Sequence, residues 1–165
     1  RLFCEVMIDV FRLGHDVKAI VAGDGFLKEE LMKYVEGEGF ADRFVWLGNV
    51  SQDELVEKYS RSYCLVHTAD WEGWGMPMIE AMACGCPVVT TDTGCAGEAI
   101  IDDKTGYVVP IDDRNAFVDK IVQLLENPNI QKKMSDAGRI EAQIWSLESL
   151  SKKLTKFYES YRKEA

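Results

Sequence analysis

A chain of 165 residues with 47% hydrophobic and 28% charged side chains is sized and composed for one globular domain with a real core. Its net charge of −9 excludes a nucleic-acid surface, which needs a basic stripe, and any anionic ligand must be held by local features against a repelling field. Within these residues no signal peptide is visible and no apolar run approaches the ~20 residues of a membrane span, and an odd count of five cysteines without framework spacing suggests reduced thiols in a cytoplasmic protein.

Residues 2–13, "LFCEVMIDVFRL", read as a helix ending at Gly14 and run straight into a β-rich apolar segment, "VKAIVAG" (17–23). A helix that feeds a parallel strand normally follows an earlier strand, so the domain is expected to lack its first strand and to be cut from something larger. Leu27, Leu31 and Val35 line one face of a helix over 27–37, and "RFVWLG" (43–48) is a second strand. "SQDE" reads as a helix start ahead of Leu55, Val56 and Tyr59, and a third strand follows, "SYCLVHTA" (62–69). Pro77 suits the first position of a helix that stops at Gly85. "PVVTT" (87–91) and "GYVVP" (106–110) are the fourth and fifth strands.

Residues 113–126 and 128–144 read as helices, the second opened by Pro128. A final helix carries Leu150, Leu154, Phe157, Tyr158 and Tyr161 at helical spacing. Core packing of that face is expected over a membrane-surface role, because acids interrupt the basic face. Strands alternating with single helices predict one α/β domain over 1–165, a doubly wound, Rossmann-like parallel sheet with ligands at the carboxyl ends of its strands.

The five cysteines, Cys4, Cys64, Cys84, Cys86 and Cys95, are odd in number and lack framework spacing, which predicts reduced thiols. Cys84, Cys86 and Cys95 do not have the spacing of a zinc knuckle, so small half-buried packing residues are expected and no metal. His67, at the end of the third strand, reads as a satisfied core or loop histidine ahead of a catalytic base. His15 carries no signal, and neither histidine forms a nucleophilic arrangement with a Ser or Cys.

The chemistry concentrates in "WEGWGMPMIE" (71–80). Glu72 and Glu80 bracket a Gly-rich turn, and from Asp70 to Asp103 there is no Lys or Arg. A strand end, a glycine turn and a helix start together offer exposed N–H groups to a phosphate-sized anion. The carboxylates are then left to accept hydrogen bonds from hydroxyls. On spacing alone the bland alternative is favoured: Glu80 as a helix-start acid and Glu72 as a solvated loop residue.

The longer string "EGWGMPMIEAMACGCPVVTTDTGCAGE" changes that balance. It resembles the signature of the family 4, group 1 retaining glycosyltransferases, whose fold is called GT-B. Glu72, Gly73, Trp74, Gly75, Pro77, Glu80, Ala81, Met82, Ala83, Gly85, Pro87, Val88 and Val89 match the pattern. The resemblance extends over nearly the whole chain, through "VAGDG" (21–25), "FVWLGNV" (44–50) and "DDKTGYVVP" (102–110).

The resemblance implies the carboxyl-terminal, nucleotide-sugar-binding half of such an enzyme, with an acceptor-binding amino-terminal domain outside these residues. Glu72, the candidate catalytic residue, would contact the donor sugar and position it. Gly75 and Met76 would give backbone contacts to sugar and diphosphate, in a turn completed by Gly73, Trp74 and Pro77. Glu80 would accept hydrogen bonds from the ribose, Asn49 and Val50 would border the base, and Gly23, Asp24 and Gly25 would line the nucleotide side.

The implied reaction is retaining transfer from a nucleotide diphosphate sugar to an acceptor saccharide, lipid or small molecule. It would need no metal or other cofactor, and the full-length protein would sit peripherally at a membrane in some pathways, such as polysaccharide biosynthesis.

Departures are visible too. Trp74 replaces the commoner Phe, a change of packing, and "GCAGE" (94–98) lacks the family's paired glycines, so no ligand role is carried onto it. The family's donor-binding Arg and Lys lie upstream of the helix at 2–13, outside this sequence.

Rival readings are a non-catalytic nucleotide or sugar-phosphate module, a nicotinamide-dependent oxidoreductase and a glycosidase. "GDGFLK" has only the first two glycines of a dinucleotide fingerprint, and the Glu pair sits on one loop-helix unit without evidently flanking a cleft.

Overall fold

Residues 1–162 are described in a computed structural model. Five parallel strands are Ala19–Ala22 (β1), Phe44–Gly48 (β2), Leu65–His67 (β3), Val88–Thr91 (β4) and Gly106–Val109 (β5). They alternate with helices Leu2–Arg12 (α1), Lys28–Gly37 (α2), Gln52–Arg61 (α3) and Met76–Ala83 (α4), and are followed by Arg114–Glu126 (α5), Pro128–Ile144 (α6) and Leu147–Arg162 (α7).

Alternation along the buried strands places helices on both faces. Val89, Tyr107 and Val109 join the core that holds α1 and α5, while Val88 and Val108 turn to the core of α4, α3 and α6. β4 is buried along its whole length, as expected for a central strand covered on both faces. Gly106 is required beside it, since a Cβ there would stand 2.5 Å from the Val88 carbonyl oxygen. The doubly wound α/β reading holds.

The parallel sheet is in two pieces. β1 pairs only with β2, and β3 with β4, which in turn pairs with β5. Between the free edges of β1 and β3 lies a cleft of about 900 Å3.

That break explains why the third strand is shorter than the apolar run predicts. Only Leu65, Val66 and His67 lie opposite a partner, namely Val88, Val89 and Thr90, while Ser62 is spent as the cap of α3.

Local chemistry fixes the helix ends. Ser51 and Glu54 form a reciprocal capping box at α3, and the Asp113 side chain accepts from Ala116 N–H at α5. α4 ends in a Schellman turn: Gly85 N–H donates to Met82 O and Cys86 N–H to Ala81 O, with Gly85 at φ +78°. Pro77 is the second residue of α4, one place later than predicted, because Gly75 caps the helix and Met76 begins it.

α7 corrects a larger expectation. It forms at the predicted place, but its apolar face is not in the core: Leu154, Phe157, Tyr158 and Tyr161 are all more than half exposed. Its packing on the domain is against α6, so amphipathic spacing produced the helix without burying its apolar face. No helix of the described residues is long and apolar enough to cross a membrane.

Candidate active site

Because the strands are parallel, the loops after β1, β2, β3 and β4 emerge on one edge of the sheet. Gly23 follows β1 in a left-handed conformation (φ +107°) and donates its N–H to Gly48 O at 2.7 Å, tying the first two loops together. Asp24 turns back to accept from Gly25 N–H at 2.9 Å, and its carboxylate lies 3.5 Å from Lys28 Nζ. Gly23, Asn49, Val50 and Pro77 all line the mouth of the cleft between β1 and β3.

The turn after β3 is built around Gly75, held at φ +90° as the cap of α4. A Cβ at Gly75 would meet the Met78 Cε at 2.1 Å and the Glu72 Cγ at 3.3 Å; the flexible Met78 tip can shift, so the glycine is required chiefly for its left-handed conformation. Met78 N–H is already bonded to Gly75 O, and Pro77 has none to offer. The amides of Gly75 and Met76 are what remains of the helix start for an anion.

The two carboxylates stand in different surroundings. Glu72 accepts from Gly73 N–H at 2.9 Å and lies 3.4 Å from His67 Nε2. Glu80, half-buried on α4, faces α3: the Tyr59 phenol is pushed up to about 12, first by burial and then by the Glu80 charge. Tyr59 also lines the cleft. Pro77 is the one described residue of α4 that lines the cleft and Glu80 does not line it, while Glu72 packs toward Gly94 of the loop after β4. Among the described residues, no Lys or Arg pairs with either of them.

Sequence reasoning missed three neighbours. His67 was expected to be satisfied, but its Nδ1 is buried without a partner, and its other nitrogen faces Glu72. The signal was its place at the carboxyl end of a strand, five residues before Glu72. Gly94 (φ +59°) packs directly on the turn: a Cβ there would stand 2.7 Å from Trp74 O and 2.9 Å from Glu72 Cγ, while Cys95 N–H donates to Trp74 O at 2.8 Å. The loop at 94–98 thus supports the Glu72 turn although its paired glycines are gone. Lys28, beside Asp24 and Gly48, is a cation at the loop after β1 that spacing did not single out.

The remaining predicted residues divide. Met76 is more than half exposed at the helix start, and Gly73 is exposed. The Trp74 ring turns away to pack against Trp145, with centroids 4.8 Å apart, leaving its backbone at the turn. The cysteines are packing residues: all five are free, and burial pushes the Cys95 thiol up to about 11.

Residues 4–141 match the family model "Glycosyl transferases group 1". The chain belongs to the group 1 glycosyl transferases. Among curated relatives of this group 1 domain, the N-acetyl-alpha-D-glucosaminyl L-malate synthase of Bacillus anthracis is 28% identical over 84% of this chain and 35% of its own length.

Two solved structures superpose closely. The C-terminal domain of a glycosyl transferase group 1 family protein (LpcC) from Francisella tularensis has a TM-score of 0.78 at 28% identity, covering 86% of this chain and 76% of that one. A point mutant of S. aureus TarM in complex with fondaparinux, alpha-GlcNAc-glycerol and UDP has a TM-score of 0.85 at 28% identity, covering 94% of this chain and 31% of that one. The group 1 domain thus has the Rossmann-like GT-B fold and the character of a carboxyl-terminal domain. It spans between 33% and 47% of the length of the curated relatives it matches.

Proposed function

We propose that this domain binds a nucleotide diphosphate sugar and serves glycosyl transfer to an acceptor hydroxyl, with retention at the anomeric carbon. The observation that carries this reading is the division at α4. At its glycine-capped start the Gly75 and Met76 amides have no backbone partner, and they lie between two carboxylates that no described Lys or Arg neutralises.

A nucleoside lies on the cleft side, bordered by Asn49, Val50 and the Gly23-Asp24-Gly25 loop, with its ribose hydroxyls donating to Glu80. The diphosphate meets the Gly75 and Met76 amides. The sugar extends past Gly73 toward Glu72, which His67 and Gly94 hold from behind. Carboxylates read hydroxyls through charge-assisted hydrogen bonds, and fixed amides stabilise charge developing on the leaving diphosphate. The whole protein supplies the acceptor site from outside these residues, on the cytoplasmic side where free thiols persist.

Calorimetric titration of Glu80→Gln and Glu72→Gln with nucleoside diphosphates and their sugars, beside turnover of the whole protein, tests the reading. Loss of a charge-assisted hydrogen bond at Glu80 costs roughly 1.5–3 kcal/mol, or about ten- to more than hundredfold in affinity. Bare nucleotide and donor should weaken alike. Glu72→Gln should leave bare nucleotide unchanged and lower turnover, because placing the sugar matters most in the transition state.

Equal weakening of bare nucleotide by both changes overturns the division. Donor binding by a whole protein that never turns over makes this a binding module. Turnover should also survive EDTA. Loss restored by magnesium would place the diphosphate on a metal ion.

A further inference from the structure

The proposed donor turn is made of residues that hold no shape by themselves. Gly73 and Gly75 flank Trp74, and a Cβ at Gly73 would meet nothing within 4 Å, so no packing fixes that side. Amides that receive charge must stand in place before the charge arrives. Two contacts hold the turn, both through Trp74. Its carbonyl accepts from Cys95 N–H at 2.8 Å, and its ring lies against Trp145 with the planes inclined by 55°.

Trp145 is a fixed point. It caps the carboxyl end of α6, which runs back along α4: Gly138 faces Met82, Arg139 donates to Cys84 O at 3.0 Å, and Trp145 meets Trp74 ahead of the start of α4. One helix thus braces both ends of the shorter one. The indole Nε1–H donates to Glu141 Oε1 at 3.3 Å, one turn earlier, and Lys153 Nζ of α7 lies 5.6 Å from the ring centroid. Both tryptophans are half-buried at the margin of the core shared by α3, α4 and α6, so their contact bears on the turn more than on the fold.

We propose that Trp145 is a positioning residue for the site. Through the Trp74 ring it holds residues 73–76 in the one arrangement that aims the Gly75 and Met76 amides and keeps Glu72 against Gly94. It touches no substrate itself. The brace stands on packing alone, while its effect on a ligand rests on the donor site proposed above. The contact needs an aromatic face at 145, which Phe keeps and Leu lacks.

The test follows amide hydrogen exchange by NMR in this chain and in its Trp145→Leu and Trp145→Phe variants. Two amides report the turn, because Met78 N–H donates to Gly75 O at 2.9 Å and Cys95 N–H to Trp74 O. The amides of β4 report the fold. In Trp145→Leu the Met78 and Cys95 amides should exchange at least about tenfold faster relative to those of β4, and Trp145→Phe should keep most of the protection. UDP is then titrated at a temperature where all three chains are folded. The Gly75 and Met76 signals should report affinity at least about fivefold weaker in Trp145→Leu than in the unaltered chain or Trp145→Phe.

A residue that only stabilises the domain would speed the turn and β4 in step; that result, or no change in either, overturns the proposal. Faster exchange in the turn with UDP affinity unchanged overturns the positioning role. An unaltered chain whose Gly75 and Met76 signals ignore UDP overturns the donor reading instead, and the ligand-free exchange then decides the brace. If Trp145→Leu does not fold, Trp74→Leu removes the same contact from the other ring and decides by the same readings.

Discussion

At the scale of single residues, the Glu72 turn rests on one glycine, Gly94, whose nearest neighbour is backbone. Gly94 and Gly97 both have positive φ, but only Gly94 would drive a Cβ into its surroundings, while Gly97 faces open space. Gly97→Ala should therefore cost only left-handed strain, about 1 kcal/mol, and Gly94→Ala roughly 2–3 kcal/mol, because the Trp74 carbonyl cannot yield as a flexible side chain would. Urea midpoints of the two variants measure the difference, and equal midpoints would mean that the Glu72 turn does not rest on Gly94.

The buried thiols give a second expectation. Burial raises Cys95 from an ordinary 9.0 to about 11 and raises Cys86 as well. A thiol raised in the folded state stays protonated there while the unfolded chain ionises. Its stabilising effect is complete below pH 9, the ordinary value, and is lost as pH climbs toward the folded value. Stability should be flat from pH 7 to 8 and decline by up to ~1.4 kcal/mol per pH unit per thiol beyond pH ~9. Cys95→Ala should make that alkaline decline shallower by about one proton in urea denaturation followed against pH.

At the scale of elements, the strands were legible because a sheet covered on both faces needs runs such as "PVVTT", and α4 because glycine before and after it and proline within it are backbone chemistry. That Glu72, Gly75 and Glu80 share one turn and helix start was legible from the string that surrounds them. Relations across the sequence were not: the contact of Gly94 with the turn and the His67–Glu72 approach each join residues whose own neighbours say nothing of the meeting. α7 shows the limit of periodicity most directly. Its spacing specifies a helix with one apolar face but does not specify what covers that face. With Phe157 and Tyr161 exposed and meeting edge to face at 5.0 Å, Phe157→Ser should change stability by under about 0.5 kcal/mol. A loss above about 2 kcal/mol in thermal or urea unfolding would mean that this face is buried in solution.

At the scale of the whole molecule, a net charge of −9 surrounds the site proposed here for an anion, and that opposition can be measured. Lys28 is occupied by Asp24, and the free groups at the start of α4 are amides. Long-range repulsion thus opposes a diphosphate while only short-range dipoles attract it, so UDP should bind this chain weakly. Raising ionic strength from about 0.01 M to 0.15 M shortens the Debye length from ~30 Å to ~8 Å, which screens the distant acids far more than the amides in contact. The affinity of this chain for UDP, followed by chemical-shift changes at Gly23, Gly75 and Met76, should therefore hold steady or rise over that range. A slope of log affinity against log salt near about −1 or steeper would show that cations hold the phosphates, and that the amides of Gly75 and Met76 are not what receives them.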